Sequence, residues 1–199
     1  LGLIDFSKIR NNWRIYRDDS LTELTTLLLV LVVGVELGLL AGVALSVALF
    51  IRNSSQPNIT QVGRLGESEQ FRSVKRYPVN LHEQILALRI DENIFFANAV
   101  QIEEKLLRRV LGRHGTKHLL LVCNAVNHID ATGLSMLLRV NQQLQSSGVQ
   151  LHFSDIKGPL MQQLDQTELA RGISGEIFFN ADQAFKSLTG DSTAAHANP

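Results

Sequence analysis

Few side chains in this sequence are placed to do chemistry. Glu36 is the single charge in the apolar run 27–51. A carboxylate in such a run is a candidate for an ion pathway or coupling role, but at a turn between two helices it would simply be hydrated. Asp130 and Thr132 stand in Ile129-Asp130-Ala131-Thr132-Gly133-Leu134, directly before an amphipathic helical pattern. There Asp130 is placed to accept orphan backbone N–H groups of the first turn, and Thr132 is an ordinary first-turn residue. Cys123, the only cysteine, sits in an apolar strand, where it reads as a small core hydrophobe and excludes an intrachain disulfide framework. His114 and His118 are four apart, but Gly112 and Gly115 break the helix that would put them on one face, so a solvated loop is the better account than a metal pair.

Beyond these residues the chemical inventory is empty. The chain has no HExxH, Walker loop, CxxC pair or recognisable Ser-His-Asp order, so no catalytic, cofactor or metal site is expected and the chain does not read as an enzyme. Gly158-Pro159 is a turn and helix start. Lysine and arginine number 19 and aspartate and glutamate 19, leaving no excess positive field to suggest nucleic-acid binding. Lys105, Arg108, Arg109 and Arg113 read as the wet face of a helix, one that in a membrane-tethered domain could touch anionic lipid.

Two kinds of element must position these residues. The run 27–51 is long and apolar enough for a membrane and too long for a signal-peptide core. Both flanks are basic, with Lys8, Arg10, Arg14 and Arg17 before it and Arg52, Arg64, Arg72, Lys75 and Arg76 after it. A hairpin with both ends inside satisfies the positive-inside rule. Over residues 19–51 there is room for two helices of about 15 residues, each about 22 Å long and short of a hydrocarbon core of about 30 Å. Glu36 would then lie at or near the turn. Gly34, Gly38, Gly42 and Ser46 recur every fourth residue and predict a closely packed neighbouring helix, unless they reflect only the general frequency of glycine in membrane helices.

The rest alternates strands and helices. Strands are expected at 84–90, 93–96, 118–123 and 149–154, with an edge strand over 177–179, and the first two as a hairpin because too few residues separate them for a crossover. Helices are expected over 98–111, with Ile102, Leu106, Leu107 and Val110 inward, over 131–146, from Pro159, and over 181–188. The expectation is an α/β domain over 81–189 with a mixed, mainly parallel sheet of four to five strands flanked by helices. Residues 1–18 form an interfacial helix or linker, the Pro-, Gly- and Ser-containing stretch 52–80 a linker, and 190–199 a disordered tail.

Apolar strand 119–123, Asn-containing loop, Ile-Asp-x-Thr-Gly-Leu and amphipathic helix, in that order, resemble the STAS domain shared by bacterial anti-sigma-factor antagonists and the cytoplasmic tails of SulP anion transporters. The upstream residues Gly34-Val35-Glu36, Gly38-Leu39-Leu40, Gly42, Ser46, Arg52, Pro57, Gly63-Arg64-Leu65, Glu69 and Phe71-Arg72 resemble the last two membrane helices and linker of SulP transporters. The resemblance implies the C-terminal part of a secondary transporter for sulfate, bicarbonate or a dicarboxylate, multi-pass in the cell (inner) membrane with its STAS domain cytoplasmic. Its partners would be lipid, the remaining transporter helices, a second copy as a homodimer, and a cytoplasmic protein reached through the STAS domain. SulP transporters carry many more membrane segments than two, and their anion site would lie outside these residues. The alternative is a free-standing, membrane-anchored STAS module that acts by binding a protein. In anti-sigma-factor antagonists the hydroxyl residue before the glycine is the phosphoacceptor, and Thr132 matches that position, with Asp130 and Gly133 beside it. A phosphate there would gain from the helix N-terminus and be repelled by Asp130.

Overall fold

The computed structural model describes residues 17–190, which form two units that meet in sequence between Ser55 and Gln56. The expected interfacial segment 1–18, but for its last two residues, and tail 190–199, beyond Gly190, lie outside the described residues.

The first unit is a helix pair, α1 (Arg17–Val33) and α2 (Val35–Ser54). Gly34 breaks the path between them with φ 104, a left-handed conformation that glycine adopts at little cost. Two helices were expected of about equal length, both short. Instead α2 has 20 residues and is long and apolar enough to cross a membrane, while the apolar part of α1 is only Glu23–Val33. The break at Gly34 lies close to the middle of 19–51, and α2 gains its length by continuing past Ile51 to Ser54. At the helical rise α2 reaches about 30 Å, the thickness of a hydrocarbon core.

The second unit is a six-stranded sheet in the order β2-β1-β3-β4-β5-β6. Its elements in chain order are β1 (Ile59–Arg64), β2 (Phe71–Ser73), β3 (Ile85–Ile90), α3 (Ala99–Leu111), β4 (His118–Val122), α4 (Ala131–Ser146), β5 (Gln150–Ser154), α5 (Gly158–Asp165), α6 (Glu168–Gly172), β6 (Ile177–Phe178) and α7 (Ala181–Thr189). From β3 to β6 the pairing is parallel, with Leu88 opposite Leu121 and Leu121 opposite Phe153, while β1 pairs antiparallel with both β2 and β3. Long crossovers through helices are what parallel neighbours require, and α3, α4 and the α5–α6 pair supply them.

Three expectations need correction. The sheet has six strands, because 59–64 and 71–73, expected as linker, form β1 and β2. Residues 93–96 are not a strand and make no hairpin with β3. They form a loop with one parallel bridge, Ile94 to Ile129, and the buried Asn98 side chain holds the loop by accepting from the Phe95 N–H at 3.0 Å and donating to the Asn93 carbonyl at 2.8 Å. The antiparallel neighbour of β3 is β1 instead.

The two faces of the sheet are covered unequally. On one, Leu86, Leu88, Leu119, Leu121, Leu151 and Phe153 pack against Ile102, Leu106 and Val110 of α3, Met136, Leu137, Val140 and Leu144 of α4, and Leu160 and Leu164 of α5. On the other, a smaller cluster of Val62, Ala87, Leu120, Val122 and Phe178 packs against Ala181 and Ala184 of α7. Alternation along each strand sends neighbours to opposite faces, so both faces bury apolar side chains and β4 reads as an unbroken apolar run.

Candidate functional site

The loop after β4 lies at the carboxyl end of a parallel strand, the usual place for a site in an α/β sheet. Asp130 caps α4, its Oδ1 accepting the Gly133 N–H at 2.7 Å. Its Oδ2 accepts the Phe96 N–H at 2.8 Å, so one carboxylate ties the 93–96 loop to the start of the helix. Asn93 adds two bonds of the same kind, its Oδ1 accepting from Asn127 and His128 N–H groups. Gly133 is buried under this junction. A Cβ there would lie 2.8 Å from Ile94 Cγ2 and 3.0 Å from the Ile94 carbonyl oxygen, so the close approach of the two loops requires glycine. Thr132, between them in sequence, is exposed. The three candidate residues therefore stand together, but Asp130 and Gly133 are committed to holding two loops and only Thr132 is accessible.

Around this loop Lys157 Nζ donates to Asn127 Oδ1 at 2.5 Å and Gln163 Nε2 to the Ile129 carbonyl at 2.9 Å. Asp155, at the end of β5, has φ 58, and its Oδ2 and the Ser154 Oγ are buried without a hydrogen-bond partner among the described residues. Cys123 is buried, and burial first, then the nearby Asp155 carboxylate, pushes its thiol pKa up to about 12. A thiol so held is neutral at physiological pH and is not a nucleophile.

A feature the sequence did not reveal lies on the opposite sheet face. His118 Nδ1 and His152 Nε2 are 3.1 Å apart, and His152 Nδ1 accepts the Glu176 N–H at 3.0 Å. That acceptor role leaves Nε2 of neutral His152 to carry the proton and donate it to His118. His152 is buried, and burial, then the neighbouring His118, lowers its pKa to about 4. Burial, Lys117 and His82 lower that of His118. His118 thus pairs with a residue 34 positions away, and His114 is exposed in its loop. No group of His, Cys, Asp or Glu that could hold a metal ion occurs among the described residues.

In the helix pair, Gly38 and Gly42 are the buried residues of α2. A Cβ on Gly38 would meet Val30 Cα at 2.6 Å, and one on Gly42 would meet Thr26 Cγ2 at 2.6 Å, so α2 packs directly on the Val30 backbone at Gly38 and on the Thr26 side chain at Gly42. Gly34 is the break itself and has no neighbour at the Cβ position, and Ser46 is exposed. Glu36 is exposed in the first turn of α2, at the positive end of the helix dipole.

The fold and the capped loop define an α/β domain of the STAS class, preceded by an apolar helix pair. The STAS domain family matches residues 76–184, over half of the chain, and this protein belongs to that family. It is homologous to the C-terminal regions of SulP sulfate transporters over most of its length. It is 28% identical to sulfate transporter 3.1 of Arabidopsis thaliana over 178 residues, covering 84% of this chain and 27% of the relative. Probable sulfate transporter 3.4 of the same plant is 28% identical over 201 aligned positions, covering 95% of this chain and 31% of the relative. The chain therefore spans about three tenths of the length of the curated relatives it matches. Among solved structures, the murine solute carrier 26 family member A9 anion transporter in the inward-facing state superposes with a TM-score of 0.81 at 16% identity, over 94% of this chain and 31% of that one. The fold match runs through both units, covering 94% of this chain. β1 and β2 lie upstream of the family match, so the sheet extends beyond the segment by which the family is recognised.

Proposed function

We propose that this chain is the C-terminal portion of a SulP-type secondary anion transporter of the sulfate, bicarbonate or dicarboxylate class. The observation that carries this reading is that similarity to sulfate transporters runs through both units, covering 95% of the chain in one relative. In this reading α1 and α2 complete a multi-pass membrane domain in the cell membrane, in contact with lipid and with the transporter's other helices. The STAS domain lies on the cytoplasmic side, where it supports assembly as a homodimer or regulation by a cytoplasmic protein. The chain itself performs no catalysis, and substrate ligands belong to other segments of the transporter. The packed glycines support this assignment, because lipid offers no hydrophobic force between helices and close backbone contact takes its place. The test is uptake of labelled sulfate, bicarbonate and a dicarboxylate by proteoliposomes of the complete protein that carries this chain. Saturable uptake of one of them is expected, and equal leakage with empty liposomes for all three would overturn the reading.

One observation favours a second reading, a membrane-anchored STAS interaction module of the anti-sigma-factor-antagonist type. Thr132 is exposed in the first turn of α4, where a phosphate would lie at the positive end of the helix dipole. On that reading, phosphate incorporation in cell extract disappears in Thr132→Ala. Unchanged incorporation in the variant would remove it.

A further inference from the structure

Lys105, Arg109 and Arg113 recur every fourth residue of α3 and its C-terminal end, and they are not the wet face that sequence suggests. All three are half-buried, whereas Arg108 is exposed and pairs with Glu104. They lie along a stretch of backbone: Lys105 Nζ donates to the Pro57 carbonyl at 2.7 Å, Arg109 Nη2 to the Ile59 carbonyl at 2.8 Å, and Arg113 Nη2 to the His82 carbonyl at 2.8 Å. None of them has a carboxylate partner, while five other ion pairs form among the described residues.

Beside them is a cleft of about 340 Å3, within the size range of small-molecule sites. Its cations are Arg109, Arg113 and Lys75, its neutral polar groups Thr60 and Gln61, and its walls apolar, and no acidic residue lines it. The cleft exists because β2 is short. β2 pairs only with Val62 to Arg64 of β1, so the earlier outer edge of that strand has no strand neighbour and is met instead by the Val74 N–H on the Gln61 carbonyl and by Arg109 on the Ile59 carbonyl. Arg109, on the Ile59 carbonyl, blocks edge-to-edge pairing there, and Arg113 ties down the His82 and Glu83 carbonyls before β3, both structural uses of positive charge. Lys75 has no such use: it is exposed at the rim and its ammonium meets no hydrogen-bond or ion-pair partner among the described residues. A guanidinium has five N–H donors, and the carbonyls leave donors of Arg109 and Arg113 unused. Three cations lining one partly desolvated cleft fit a compact polyanion with several acceptor oxygens.

We infer that this cleft binds the phosphate group of an anionic ligand, held by Arg109, Arg113 and Lys75, with the ligand's remaining atoms against Ile59, Val74 and Leu86. Phosphate of this kind occurs on soluble esters and on lipid headgroups, and the cleft would accept it whether or not the chain forms part of a transporter. The test is calorimetric titration of the full chain in detergent with two probes, inorganic pyrophosphate and short-chain phosphatidic acid. Saturable binding of at least one is expected. Pyrophosphate binding would identify a soluble source, and binding of phosphatidic acid alone would identify a headgroup. Lys75→Gln, which removes no structural bond, should weaken binding by about threefold to tenfold, and Arg109→Gln with Arg113→Gln by more than about tenfold. Arg108→Gln, which removes the same charge from the exposed side of α3, should leave binding unchanged. The inference is overturned if neither probe binds saturably, or if Lys75→Gln and Arg108→Gln weaken binding equally.

Discussion

The helix pair and the STAS domain use opposite rules of packing. In the domain the contacts are made by large side chains: Leu88, Leu121, Ile102 and Leu106 are fully buried between sheet and helices. In the helix pair the buried positions among the described residues are Gly38 and Gly42, while large side chains such as Leu31, Val32, Leu39, Leu40 and Phe50 are exposed. An apolar surface of that extent would be an anomaly in water. On the proposed membrane assignment it is the expected surface of a helix pair whose solvent is lipid, where apolar groups gain nothing by turning inward. One chain thus carries two solutions to the same packing problem, each suited to its own surroundings.

The comparison predicts that adding atoms harms one unit and removing them harms the other. Gly38→Val should have the largest effect, because its Cβ meets the backbone of Val30 and neither helix can yield without separating. Spin labels at the exposed positions Leu28 and Leu40 should report a longer and broader distance in the variant, and an unchanged distance would break the comparison at its root. Leu121→Ala, in the centre of the sheet, should cost about 2–5 kcal/mol in denaturant unfolding of the domain while leaving that spin-label distance unaltered.

A smaller effect concerns pH. His118 and His152 are held neutral, so the native state refuses protons that the unfolded chain accepts below about pH 6.5. Stability contributed by His152 is therefore present above that pH and is lost as pH falls toward about 4, with a slope of up to about 1.4 kcal/mol per unit, and the contribution of His118 is lost in the same direction. Replacing His152 by Gln should flatten the slope between these limits, and an identical slope in the variant would assign the acid sensitivity to other groups. Asp130→Ala, which gives up two accepted N–H bonds, should cost about 0.5–2 kcal/mol and loosen the 93–96 loop, seen as faster amide exchange at Phe96.

The parts of the fold that were legible are those where local pattern and tertiary role agree. β4, the capping Asp130 and α4 over 131–146 could be read because an unbroken apolar run, an acidic cap and helical spacing follow one another in few residues. β1 was hidden because Ile59-Thr60-Gln61-Val62-Gly63-Arg64 alternates weakly and sits between Pro57 and Gly66, where turn residues dominate. As an outer strand it has only a short partner on one side, and it needs less apolar sequence than β4. The run Ile94-Phe95-Phe96 misled in the opposite direction. Only Ile94 is fully buried there, Phe96 is exposed, and side chains of Asn98 and Asp130 take the N–H groups that a strand would have offered to a neighbour. In the candidate site Asp130 and Gly133 were visible as a motif, but their partners Phe96 and Ile94 come from a loop more than thirty residues earlier in the chain. The pairing of His118 with His152 and the cationic cleft depend likewise on contacts between distant segments, which spacing alone does not encode.

Leu40 and Val100 offer the most direct comparison of the two regions, since they are 67% and 64% exposed respectively and differ only in the solvent assigned to them. Single cysteines at these positions, in a Cys123→Ala background, would be treated with a membrane-impermeant maleimide in sealed inside-out vesicles carrying the protein. The cysteine at 100 should react at once and the cysteine at 40 only after detergent is added. Equal reaction of both without detergent would mean that the helix pair meets water as the domain does, and the membrane assignment would fall.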